Sequence, residues 1–181
     1  MTPDPCALAS LGLNPDRITV AMRPPPEGAL YHREENLRFE EILKRVRAGG
    51  AQVVLLPRTD EQAARYRREG VTIPSRPVDG PTLLATVDLT VGAGGTMTRE
   101  SALLGTPTYT VFIGELAAVD AELIRLGRIV DLRQGGFPAI EPRKTSVGPP
   151  NGARAASILD VVVQTIEATG ASRGSGGEAP P

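Results

Sequence analysis

Short apolar runs of strand length alternate along this chain with stretches whose apolar residues recur at helical spacing. Residues 18–22 form the first run. Phe39, Ile42, Leu43 and Val46 follow at i, i+3, i+4 and i+7, one face of a helix. Glu34 and Glu35 stand before that face and Lys44, Arg45 and Arg47 at its end, an order the helix dipole favours. Gly49 is placed to stop it. A second strand is predicted at 53–56, and Thr59-Asp60-Glu61-Gln62 reads as a capping box opening a helix that stops at Gly70. A short third strand is expected at 71–73 and a brief helix from Gly80-Pro81 through Ala85. Then come a fourth strand at 89–91, a helix at 97–104 closed by Gly105 and Pro107, and a fifth strand at 108–112. A helix at 118–126 ends at Gly127, and a sixth strand is expected at 129–131. Strands alternating with helices imply βαβ units. The expected fold class is therefore α/β, a Rossmann-like doubly wound parallel sheet.

The domain organisation follows. Residues 1–15 are an N-terminal strap and 16–133 the Rossmann-like domain. Residues 134–151 are a Gly/Pro-rich loop, of a length that is functional or disordered. Residues 152–168 predict a C-terminal amphipathic helix with Ala155, Ile158, Leu159, Val162 and Ile166 on one face. The low-complexity stretch 169–181 predicts a disordered tail.

Composition narrows the function. A chain of 181 residues is long enough for one domain with a real core. A net charge of −1 gives no bulk pull toward nucleic acid or membrane, and 3% aromatic content leaves no base-stacking platform. Cys6 is the sole cysteine and His32 the sole histidine, so no Cys-based zinc site or His cluster can form. No metal or cofactor is implied. The start of the chain lacks the basic and apolar regions of a secretory signal, and no apolar run approaches a bilayer span. The cytoplasm is the expected location.

In a parallel α/β sheet, ligands bind beyond the carboxyl ends of the strands. That rule directs attention to the loops at 23–28, 57–58, 74–77, 92–98 and 113–116. The richest is the turn Gly92, Gly94, Gly95 between a buried strand and a helix. Glycine permits positive φ and close approach of a ligand to the backbone. The helix start offers free N–H groups and a positive dipole end, an anion site suited to phosphate. Thr96 and Thr98 can add hydroxyl donors. Glu100, one turn in, can accept two hydrogen bonds from a cis-diol such as ribose. Against this stands a plain tight turn, with Thr96 as N-cap and Glu100 as a dipole-matched surface residue. The turn is neither a P-loop nor a complete GxGxxG, because no Lys follows and Met97 stands where the third glycine belongs.

GGTMTRESALLGTP is similar to the strand–helix motif in the C-terminal domain of GT-B glycosyltransferases and of the non-hydrolysing nucleotide-sugar 2-epimerases. RPPPEGALYHR together with VGAGGTMTRESALLGTP resembles the GT-B-type domain-of-unknown-function family numbered 354 (DUF354), over about residues 8–133. That resemblance implies a fold equivalent to the C-terminal domain of GT-B enzymes and a UDP-sugar-like ligand. Gly94, Gly95 and Thr96 would meet the diphosphate, Glu100 would hold the ribose, and residues 73–77 would approach the base. Glu115 and Asp120 fall where sugar contacts are expected, although their spacing departs from the transferases. GT-B enzymes have two such domains with the reaction between them. The resemblance therefore implies half of a glycosyltransferase- or epimerase-like enzyme, completed by a homo-oligomer or by a partner chain that supplies an N-terminal domain.

Other residues stay open between binding and structure. Arg23 can pair with a phosphate, or with Glu27 or Glu34. Arg58 can contact phosphate, or pair with Asp60 or Glu61. His32 is the one candidate general base, and equally an ordinary surface or capping residue. Two other functions remain. The chain can be a non-catalytic binding or regulatory subunit with the same pocket. It can also be an NAD-dependent oxidoreductase, with Glu115 as the acidic residue about 20 positions after the glycines.

Overall fold

The computed structural model describes residues 5–26 and 37–134. His32, the loop beyond Gln134, the helix expected at 152–168 and the tail at 169–181 lie outside the described residues. Five strands form one sheet: β1 (Thr19–Arg23), β2 (Gln52–Leu55), β3 (Leu89–Gly92), β4 (Thr108–Thr110) and β5 (Val130–Asp131). The helices are α1 (Pro5–Ala9), α2 (Leu37–Ala48), α3 (Asp60–Arg67), α4 (Gly80–Thr86), α5 (Thr96–Leu103) and α6 (Ala118–Arg125). All pairings are parallel and the spatial order is β2-β1-β3-β4-β5.

Alternation along the strands sends side chains to two helical layers. Val20, Met22, Val53, Leu55 and Val91 pack with Phe39, Ile42, Leu43 and Val46 of α2 and with Tyr66 of α3. Ala21 and Val54, on the other face, pack with Leu8 of α1, Leu83 and Leu84 of α4 and Met97 of α5. The sheet is thus doubly wound. Burial on both faces explains why the strands read as nearly continuous apolar runs. Leu123 of α6 and Ile129 close a smaller cluster against Ala102 of α5.

Several expectations change. The strand expected at 71–73 shrinks to one parallel bridge, Val54 with Thr72. Thr72 N–H donates to the Val53 carbonyl and its own carbonyl accepts from Leu55 N–H. Gly70 before it and Pro74 after it leave no room to extend, and Pro74 has no N–H to give a ladder. Among the described residues the sheet therefore has five strands, and the glycine turn follows the third. Gly50, not Gly49, ends α2: Gly50 takes φ +79° and Ala51 N–H reaches back to the Val46 carbonyl. The N-terminal strap contains the unpredicted helix α1, which lays Leu8 on the α4 side of the sheet. Among the described residues no helix is long and apolar enough to cross a membrane.

Candidate functional site

The strand order reverses between β1 and β3. β1 is followed in sequence by its neighbour on one side, and β3 by its neighbour on the other. Their carboxyl ends diverge there into a crevice, the place where doubly wound sheets of this order hold ligands. Arg23, the last residue of β1, pairs in register with Gly92, the last of β3. A cleft of about 390 Å³ opens above this pair, a volume suited to a small organic ligand. Its floor is apolar, from Leu56, Leu84 and Met97. Its polar rim carries Arg23, Arg58, Thr96 and Glu100, with the backbone of Gly94 and Gly95.

The glycines of the turn are not there for positive φ, since none of Gly92, Gly94 and Gly95 adopts it. Space sets them apart instead, firmly at Gly92, where the obstacle is a short buried side chain, and softly at Gly94 and Gly95, where it is the end of a flexible arginine. A Cβ at Gly92 would collide with Thr98 Oγ1, one at Gly94 with the Arg58 guanidinium and one at Gly95 with the Arg99 guanidinium. Gly95 is also the N-cap of α5, and no side chain caps that helix start. Thr96 is the first helical residue rather than the cap, and is exposed at the mouth. Thr98 is buried, and its hydroxyl donates to the Gly94 carbonyl at 2.5 Å. It therefore braces the turn and takes up a carbonyl that would otherwise repel an anion, rather than offering its hydroxyl to the cleft.

Two arginines line the crevice, Arg23 at the end of β1 and Arg58 in the loop that follows β2. Among the described residues neither Arg23 nor Arg58 makes an ion pair. Burial first, and the Arg23 charge second, hold the Arg58 guanidinium below its ordinary pKa. Arg58 does not pair with Glu61, whose carboxylate is held low by hydrogen bonds to its own backbone and to Thr59. Arg58 Nε donates instead to the Pro24 carbonyl at 3.2 Å. Two cations with no described counter-ion, beside the uncapped positive end of α5, make a site that favours an anion.

The capping box closes only by half. Gln62 N–H donates to Thr59 Oγ1 at 3.2 Å, as expected. The Gln62 side chain does not return to the Thr59 backbone. Its Oε1 accepts from Arg58 N–H at 2.8 Å and its Nε2 donates to the Pro25 carbonyl at 2.7 Å.

Glu100 is exposed and lines the cleft. Other expected contacts fall elsewhere. Asp120 is buried, and both its oxygens accept from Arg99 at 2.7 Å. It lines a separate hollow of about 10 Å³, too small for anything beyond a water. Glu115 is exposed and is not among the described residues that line the cleft. In the stretch at 73–77, Ile73 packs on the core and Ser75, Arg76 and Pro77 are exposed, whereas Gly80 and Leu84 supply that side of the cleft. Among the described residues no cluster of His, Cys, Asp and Glu is placed to hold a metal. Arg58 and Gln62 are the residues the sequence under-read. The signal for Arg58 was its place just beyond the carboxyl end of β2, level with the loop that follows β1.

Fold and site together define a Rossmann-like α/β domain with a cationic cleft at its topological switch point. Residues 4–134 match the family described as "Protein of unknown function (DUF354)", and the chain belongs to that family. An uncharacterised protein of Methanocaldococcus jannaschii is 35% identical over 123 residues, covering 68% of this chain and 36% of that protein. A structure of UDP-GlcNAc 2-epimerase from the same organism matches with TM-score 0.52 and 11% identity, over 89% of this chain and 50% of the other. The ADP-heptose lipopolysaccharide heptosyltransferase II of E. coli matches with TM-score 0.48 and 15% identity, over 90% of this chain and 51% of the other. The chain thus spans about a third of its curated relative and about half of the epimerase.

Proposed function

We propose that the cleft binds a nucleotide sugar, with the diphosphate between the start of α5 and the two arginines and the ribose hydroxyls on Glu100. The observation that carries this reading is the convergence of Arg23, Arg58 and the uncapped end of α5 on one crevice with no described carboxylate paired to either arginine. A neutral sugar needs no such cations, and two linked phosphates offer oxygens to the arginines and to the helix start together. The UDP-GlcNAc 2-epimerase of the same fold supports the choice of ligand class. The anion-stabilising groups suit a reaction in which a diphosphate departs, because they meet the charge where it develops. Among the described residues, Glu100 is the one carboxylate that lines the cleft. The remaining reacting groups would face the cleft from another domain or subunit, which makes this domain the binding half of a glycosyltransferase- or epimerase-like enzyme.

Calorimetry with UDP, UDP-GlcNAc, NAD and inorganic pyrophosphate tests this. Uridine nucleotides and pyrophosphate should bind, and Arg58→Gln should weaken both by about tenfold or more. Glu100→Ala should weaken UDP while leaving pyrophosphate unchanged or slightly tighter, since it removes a diol acceptor and a negative charge. Binding of NAD alone, or of no nucleotide, would overturn the reading.

A further inference from the structure

We infer that Gln62 is a positioning residue: its carboxamide clamps the loop after β1 to the loop after β2 and so holds the Arg23 and Arg58 side chains at one anion. The inference rests on the cleft being an anion site.

The geometry carries it. Gln62 is 1% exposed, although it lies in the first turn of a helix whose apolar face is narrow. A glutamine so deeply buried must have its polar atoms satisfied. Both ends are satisfied by backbone, and by backbone of two different loops: Arg58 N–H on one side and the Pro25 carbonyl on the other. An ordinary capping box would have turned this side chain back on its own helix. Here it spans from β2's exit to β1's exit, 37 residues away in sequence. The Arg58 side chain adds a second tie, to the Pro24 carbonyl.

A tie is needed because the two loops carry like charges. Arg23 lies close enough to depress the Arg58 pKa, so without ligand the arginines repel and would drive the loops apart. An arginine left free must also lose several rotamers to bind, which costs affinity. The carboxamide opposes both. It fixes the backbone at Arg58 and at Pro25 while the cleft is empty, so that the anion meets a preformed pair. The neighbouring prolines have no N–H to offer and a fixed φ, which leaves carbonyls as the grips on that loop, Pro25's for Gln62 and Pro24's for Arg58.

The test is titration of inorganic pyrophosphate into the wild type, Gln62→Met and Gln62→Glu, with a circular-dichroism melt for each. Gln62→Met keeps the length and removes both hydrogen bonds. It should bind about five- to tenfold more weakly than the wild type while retaining the native spectrum. Gln62→Glu separates clamping from simple structural support. Protonated, its carboxyl has one donor for the Pro25 carbonyl and one acceptor for Arg58 N–H, as the carboxamide has. Ionised, it has no donor, and it also competes with the ligand for the arginines. Its affinity relative to the wild type at the same pH should therefore rise as pH falls from about 8 to about 5, toward parity. A ratio that stays flat with pH, or Gln62→Met binding as tightly as the wild type, would overturn the clamp and leave the anion site standing. Failure of the wild type itself to bind pyrophosphate would overturn both.

Discussion

Gly94 shows how one missing atom shapes this cleft. Its backbone is one that any residue could adopt, and the space beside it is filled by Arg58. Gly94→Ala should therefore push the guanidinium aside rather than strain the fold. The expected result is a melting curve within about 0.5 kcal/mol of the wild type and clearly weaker pyrophosphate binding. Gly92→Ala should do the reverse. Its new methyl meets Thr98, a short, stiff, buried side chain that cannot swing away. A loss of about 1–3 kcal/mol is expected in a urea melt. Equal effects of the two substitutions on stability would contradict this account. The glycines themselves were legible in the sequence, but their reason was not. Glycine pattern alone does not separate a need for positive φ from a lack of room, because the residues that occupy the room, Arg58 and Arg99, come from elsewhere in the fold or from the next helical turn.

At the level of elements, periodicity read well wherever local chemistry and packing agreed. Phe39, Ile42, Leu43 and Val46 are the buried face of α2, and Gly105 ends α5 with φ +77°. It read poorly where a side chain serves two elements. Gln62 belongs to a capping motif by sequence and to the β1 loop by geometry. Asp120 falls where the resemblance expects a sugar contact, yet it ties α6 to α5 through Arg99. Such choices depend on which elements become neighbours, and a one-dimensional pattern does not contain that. At the edge strand β5, Arg133 folds back on Asp131 and holds its carboxyl below the ordinary range, mainly through their hydrogen bonds. A depressed carboxylate stabilises the fold above its unfolded pKa of about 3.9 and loses that contribution as pH falls through the lower folded value. Asp131→Asn should cost at most about 1 kcal/mol at neutral pH. Its deficit relative to the wild type should shrink below about pH 4. Equilibrium unfolding across that range checks it, and a deficit that grows on acidification would reverse the sign.

For the whole molecule, the cleft lies where the two halves of the sheet turn apart, so a ligand there bridges loops from β1, β2 and β3 at once. Such a ligand should stabilise the fold globally. At about a hundredfold excess of UDP over its dissociation constant, the gain is about 2.7 kcal/mol, or roughly 5–10 °C in melting temperature. Arg58→Gln should remove most of that shift at the same UDP concentration. An unchanged melting point for the wild type with saturating UDP would show that the nucleotide does not engage the native state. The same central position of β1 has a consequence for how the chain is made. Thr19 is hydrogen-bonded to Gln52, 33 residues on, and to Asp88, 69 residues on. Closing the shorter loop is the easier step, so β1 joins β2 before it joins β3. A chain emerging from the ribosome therefore holds a strand with an apolar centre, Val20–Met22, and one edge unpaired until β3 has emerged, and that edge is a template for pairing with another chain.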